Sequence, residues 1–140
     1  MSEPLRFHFV VDGADFSSAG AASVMVKKKL RQLAYDPEII RKVSIAMYEG
    51  EINMVIHANG GTADVEVTDE EITIILRDKG PGIPDIGLAM QAGYSTARDS
   101  IRNLGFGAGM GFPNMKKYTD YLNIDTVIGE GTTVTMKVKL

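Results

Sequence analysis

Residues 37–58 constrain this chain more than any other stretch. Asp36-Pro37-Glu38 reads as a helix start: a side-chain cap, a proline where no N–H is needed, and an acid in the first turn. Asn59-Gly60-Gly61 is the matching stop. The spacing predicts one helix from Pro37 to about Ala58, with Ile39, Ile40, Val43, Ala46, Met47, Val55 and Ile56 as its apolar surface. A helix of that length must lay its apolar face on a second layer. Two runs of the other period follow directly. Thr62–Thr68 alternates Ala63, Val65 and Val67 against Asp64 and Glu66, and Ile72–Arg77 comes after Asp69-Glu70-Glu71, so a hairpin is expected. Gly50 in mid-helix costs about 1 kcal/mol relative to alanine, which points to close packing beside it.

The flanking segments complete a two-layer pattern. Phe7–Val11 reads as a first strand, with His8 pointing outward. A turn over Asp12–Phe16 leads to a helix from about Ala19 to Ala34, capped by Ser17 or Ser18, with Val24, Leu30 and Leu33 on its buried side. Lys27-Lys28-Lys29 and Arg31 give that helix a basic patch, by default a solvated face and otherwise a docking surface for an acidic partner. Ile86–Ala92 reads as a short helix. Gly93–Leu104 has no clear period and is a candidate lid. Met115, Tyr118 and Leu122 mark a further helical row, and Asn123–Ile128 and Thr132–Val138 are closing strands joined by Gly129-Glu130-Gly131.

Composition removes several classes of function. At 140 residues the chain is expected to be one domain, residues 1–140. The net charge of −3 leaves no general basic surface for nucleic acid or anionic membrane. There is no cysteine, which excludes thiolate chemistry and fits a cytoplasmic protein. The first residues lack a signal-peptide layout, and no apolar run approaches the ~18 residues of a membrane helix. His8 and His57 lie too far apart in sequence to suggest a zinc cluster.

Three motifs carry chemistry. Asp78-Lys79-Gly80-Pro81-Gly82 follows a strand; an aspartate there can accept a hydrogen bond from an amine, and glycines let a ligand approach the backbone. Alone, such a stretch is more often a surface turn. Gly107, Gly109 and Gly111 precede a helical pattern, so their amides can face an anion. Glu49 and Asn53 lie four apart on the long helix and share a face, continued by His57, whereas Glu51 sits about 200° from Glu49. Taken alone, Glu49 and Asn53 read first as a solvated polar face.

In order, these motifs, with Gly131-Thr132 before the last strand, resemble the Bergerat-type (GHKL) ATPases shared by gyrase, Hsp90, MutL and histidine kinases. Gly80-Pro81-Gly82-Ile83-Pro84-Asp85, Gly93-Tyr94-Ser95-Thr96 and Gly129-Glu130-Gly131-Thr132-Thr133-Val134 are most similar to the anti-sigma-factor serine/threonine kinases and switch kinases of bacterial stress signalling. The resemblance spans Phe7 to Val138. It implies a two-layer α/β (α+β) sandwich, with a mixed, mainly antiparallel sheet under three main helices and a lid over about 86–108. It implies ATP or ADP with Mg²⁺ as ligands. Asn53 would hold the metal, Glu49 would be the general base, and Asp78 would accept from the adenine amine. Gly80 and Gly82 would admit the base, Gly107, Gly109 and Gly111 would wrap the phosphates, and Thr132 would complete the adenine end. Arg98 or Arg102 would offset charge at the γ-phosphate, or be an exposed arginine. His57 is more a packing residue than a catalyst.

The run Ala97–Leu104 looks longer than the glycine-rich lid of switch kinases, a departure that bears on closure and partner choice. No phosphoacceptor-histidine helix precedes Phe7 and no second domain follows Leu140, so the expectation is a free-standing protein kinase acting on a serine or threonine of a STAS-type antagonist. The alternative is a non-catalytic, nucleotide-dependent switch that sequesters a sigma factor or activates a phosphatase. Members of the family often dimerise, and no residue pattern here requires a homodimer.

Overall fold

Period-two alternation builds the first layer. The computed structural model describes residues 3–14, 19–58, 60–90 and 111–140. Among them, β1 (Leu5–Asp12), β2 (Gly60–Val67), β3 (Glu71–Arg77), β4 (Tyr121–Val127) and β5 (Gly131–Lys139) form one sheet in the order β1-β2-β3-β5-β4. Every pairing is antiparallel, so the sheet is not mixed as the resemblance implied. Ala63, Val65 and Val67 of β2, Ile72, Ile74 and Leu76 of β3, and Val134, Met136 and Val138 of β5 are all buried on one face. The other face is largely polar, with Val10, Tyr121 and Val127 exposed on its outer strands, and His8 does point outward there, its Nδ1 2.6 Å from Asp64 Oδ1. The β2–β3 turn is held by Thr68, whose hydroxyl accepts from Glu71 N.

Helices cover the apolar face: α1 (Ala21–Gln32), α2 (Pro37–Ala58), α3 (Ile86–Ala89) and α4 (Gly111–Lys117). The predicted bounds of α2 hold, and Asp36 Oδ1 accepts from Glu38 N at 2.8 Å, as its cap should. Val43, Ala46 and Met47 share one core with Ile74, Leu76 and Met136. Gly50 is where α2 settles onto the sheet. A Cβ there would collide with Leu76 Cδ1 and stand 3.5 Å from Met115 Sδ of α4. Asp85 starts α3 by accepting from Leu88 N at 3.1 Å.

The buried side expected for α1 holds at Leu30 and fails at Val24 and Leu33. Its buried residues are Ala22, Ser23, Val26 and Leu30, while Val24 is 63% and Leu33 48% exposed. The cause lies at its N-terminus. The N-cap residue is Gly20, in the left-handed region, and makes no side-chain cap. The cap comes from α2: Glu51, 2% exposed, accepts from Gly20 N (2.9 Å) and Ala22 N (3.1 Å) on one carboxylate oxygen and from Ser23 N (3.0 Å) on the other. A buried carboxylate thus satisfies amides that would otherwise be orphaned and sits at the positive end of the helix dipole. It turns Ala22 and Ser23 inward and leaves Val24 outside. Ser17 and Ser18, expected as caps, lie outside the described residues, as do most of the expected lid and Asn59.

Candidate functional site

Asp78 stands directly after β3, and the sheet itself fixes its carboxylate. Asp78 N donates to Thr132 O at 2.9 Å, and Thr132 N donates back to Asp78 Oδ1 at 3.1 Å. Gly80 N donates to the same oxygen at 2.9 Å. Oδ1 therefore closes the loop, while Oδ2 accepts from no described residue and remains an open acceptor. Close approach demands glycine at Gly131, where a Cβ would run into Asp78 O. At Gly80, the place of a Cβ is taken by Ala58 at the end of α2. Packing of the loop against α2 thus requires glycine at 80, whatever ligand lies beside it. Gly82 is in the left-handed region and lies against Val127 and Ile128.

Thr132 is buried, and its hydroxyl lies 2.9 Å from that of Thr126. Thr126 Oγ1 in turn accepts from Ile83 N at 2.9 Å. Asp78, Thr132, Thr126 and the loop at Ile83 form one connected network. Thr126 escaped the sequence reading. The signal was present in the closing hairpin, whose register sets Thr126 opposite Thr132.

At the other end, Glu49 and Asn53 are both half-buried on α2. Asn114 Nδ2, from α4, donates to Glu49 Oε1 at 3.2 Å. Glu49 Oε2 faces the head of α4, where a Cβ on Gly111 would lie 3.9 Å from it, and it accepts from no described residue. Asn114 also escaped the sequence reading; its one signal was its place a turn after Gly111. Eight residues earlier on α2 and four residues after Asn114, just past the end of α4, the Arg41 guanidinium lies 5.2 Å from the centre of the Tyr118 ring. Arg41–Tyr118 and Glu49–Asn114 are two rungs of one antiparallel α2–α4 contact.

The structure therefore brings Asp78, Gly80 and Thr132 together at the Ala58 end of α2, and Glu49 and Gly111 together one helix segment away. About 14 Å of helix axis separates Glu49 from Ala58, with Asn53 between them. Arg98, Arg102, Gly107 and Gly109 lie outside the described residues. His57 is half-buried, and burial holds its imidazole below the ordinary histidine range, which favours the neutral form. No cluster of three or more metal-ligating His, Cys, Asp or Glu side chains occurs among the described residues, and none of their helices is long and apolar enough to cross a membrane.

The fold defines the class. A crystal structure of the RsbU and RsbW domains of Rv1364c from Mycobacterium tuberculosis is similar to it, with a TM-score of 0.65 at 18% identity, over 99% of this chain and 33% of that one. Residues 41–140 match the model of the histidine kinase-, DNA gyrase B-, and HSP90-like ATPases, and the chain belongs to that family. It lies on the branch of the anti-sigma kinases. It is 34% identical over 125 residues to an anti-sigma F factor of Clostridium novyi (strain NT), covering 85% of this chain and 84% of that relative. It is 29% identical over 118 residues to the serine/threonine-protein kinase RsbT of Bacillus subtilis (strain 168), covering 81% and 83%. Nucleotide is the ligand the family implies.

Proposed function

We propose that this chain is an ATP-dependent anti-sigma regulator that transfers the γ-phosphate of ATP to a serine or threonine of a STAS-type antagonist. One observation carries the reading. Asp78 and Glu49 stand at opposite ends of the same stretch of α2, and each has one oxygen tied by the protein and one open. Asp78 Oδ2 suits the exocyclic amine of adenine, with Thr132 beside it. Glu49 Oε2 suits a hydroxyl proton, at the head of the helix that follows the expected phosphate loop.

The residues fit a magnesium ion held by nucleotide phosphates better than one caged by the protein. The described residues offer no carboxylate cluster, and Asn53 supplies one hard amide oxygen a turn from Glu49. When bound, such an ion would offset the negative charge on the phosphate oxygens. Asn53 would orient that assembly, Gly111 and the glycines before it would offer amides, and Asn114 would hold Glu49 in place. Glu49 would accept the proton as the partner's oxygen bonds to phosphorus and ADP departs with the electrons of the broken P–O bond. A second reading draws on the relatives named anti-sigma F factor: the same pocket would set a conformation that sequesters a sigma factor or activates a phosphatase. A homodimer is compatible with both.

The test is calorimetry with Mg·ATP followed by transfer from γ-labelled ATP to a purified STAS antagonist. Asp78→Asn should lose ATP binding, and Glu49→Ala should keep binding and lose transfer. Unchanged affinity in the first variant would remove the adenine assignment; normal transfer in the second would remove the base. Binding without transfer in the native protein would favour the switch.

A further inference from the structure

Between α1 and the first half of α2 runs a groove of about 430 Å³, lined among others by Lys27, Arg31, Tyr35, Ile40, Arg41 and Ile45. Its lining is apolar at Ile40 and Ile45 and cationic at Lys27, Arg31 and Arg41. Residues 27–42 hold six Lys and Arg against two acids, Asp36 and Glu38, whereas the rest of the chain holds nine against sixteen. The four ion pairs among the described residues all lie on the sheet, and none includes any of these six cations. Arg41 is steadied by an aromatic ring rather than by an acid. The fold thus concentrates uncompensated positive charge around one apolar slot, on a protein that is otherwise acidic.

That combination selects its occupant. Carboxylates would offset the like-charge repulsion around the rim, and an apolar side chain would fill the slot between Ile40 and Ile45. A nucleic acid duplex or an anionic membrane presents charge without the apolar side chain. Each also extends past the groove onto a remainder of the protein with a net charge of −7 (nine cations, sixteen acids). A short acidic, amphipathic polypeptide segment fits both features.

The groove also points somewhere. Arg41, Ile45, Glu49 and Asn53 are spaced by four and form one ridge of α2. Ile45 precedes Glu49 by about 6 Å of helix axis and Arg41 by about 12 Å. An extended chain covers 12 Å in about four residues. We infer that this groove docks an acidic segment of the protein partner whose apolar side chain lies about two to four residues from the hydroxyl offered to Glu49. This placement rests on the kinase reading; the docking of an acidic segment does not.

The probe is a fluorescein-labelled 16-residue peptide of glutamate and leucine at helical spacing, followed by anisotropy. The controls are its glutamine–leucine counterpart, a 12-base-pair DNA duplex and phosphatidylserine vesicles. The glutamate peptide should bind, weaken with salt, and weaken at least tenfold in Lys27→Glu/Arg31→Glu. Lys27→Gln/Arg31→Gln should lose less, and calorimetric ATP affinity should stay within twofold in both, which verifies the fold. Equal binding by the glutamine peptide, no binding of the glutamate peptide, or indifference to charge reversal would overturn the proposal. So would tighter, groove-dependent binding of DNA or vesicles. The two readings fail separately. Transfer to an antagonist that is indifferent to charge reversal removes the groove and leaves the kinase; charge-dependent peptide binding without transfer removes the kinase and leaves the groove.

Discussion

Glu51→Ala should be among the most damaging single substitutions in this fold, although Glu51 has no role in the proposed chemistry. Its carboxylate accepts from Gly20, Ala22 and Ser23 at 2.9–3.1 Å while 2% exposed. Removing it strands three buried amides. Each unsatisfied buried donor costs about 1–3 kcal/mol, and water entering the space left by the side chain recovers part of that. The expected loss is about 3–5 kcal/mol, against a total stability of about 5–15 kcal/mol for a domain. Glu51→Gln keeps the volume and one acceptor oxygen. With that oxygen towards Gly20 and Ala22, the amide NH₂ opposes Ser23 N, and the expected loss falls to about 1–3 kcal/mol. Glu49→Ala, two residues away, should change stability by less than about 1 kcal/mol, since its side chain is only half-buried and joined to one amide. Urea unfolding followed by circular dichroism at 222 nm measures all three, provided the slope with denaturant is shared. An alanine variant within about 1 kcal/mol of the native protein would refute the assignment of Glu51 as the cap of α1.

Three further outcomes are expected. Asn114→Ala should release Glu49 Oε1 and lower the single-turnover transfer rate about 10- to 100-fold with ATP affinity unchanged, whereas a variant equal to native would mean that Glu49 positions itself. Gly50→Ala should destabilise by about 1–3 kcal/mol in urea despite alanine's better helix propensity, because its methyl meets Leu76; a gain in stability would show that Leu76 moves aside freely. Burial lowers the His57 pKa below the ordinary histidine value of about 6.5, so the unfolded chain binds a proton that the folded one refuses. Its contribution is complete above pH ~6.5 and is lost as pH falls from there towards the folded value. His57→Gln should therefore flatten the fall in stability between pH ~7 and ~5, and an unaltered slope would assign that fall to other groups.

Where local signals act alone, the fold was legible in the chain. Asp36-Pro37-Glu38 gave α2 its start, and alternation in Ala63–Val67 and Val134–Val138 gave the buried faces of β2 and β5. Strand ends shifted by at most two residues because register with a neighbour, rather than composition, decides where pairing stops; β4 begins at Tyr121 and β1 at Leu5. The phase of α1 was illegible because its cap comes from Glu51, and a wheel drawn from Val24 and Leu33 has no access to that contact. Asp78 and Thr132 could be singled out as motif residues, but the two hydrogen bonds between them depend on the end of β3 pairing with the start of β5. Thr126 and Asn114 hold motif residues from other elements. Their importance depends on the β4–β5 register and on α4 lying antiparallel to α2, which no local pattern expresses.

The cap of α1 also orders events in time. The amides of Gly20, Ala22 and Ser23 leave the ribosome before the side chain that satisfies them, which is 28–31 residues downstream. At bacterial and eukaryotic synthesis rates of about 5–20 residues per second, that delay is roughly 1.5 to 6 seconds. During it the first turn of α1 can hydrogen-bond only to water, and a helix of 12 residues is marginal by itself. Nucleation therefore passes to α2, whose start signals are local, and α1 is recruited when α2 is long enough to present Glu51. In a refolding experiment, substitutions at the start of α1 should chiefly speed unfolding, while those in the first turns of α2 should slow folding.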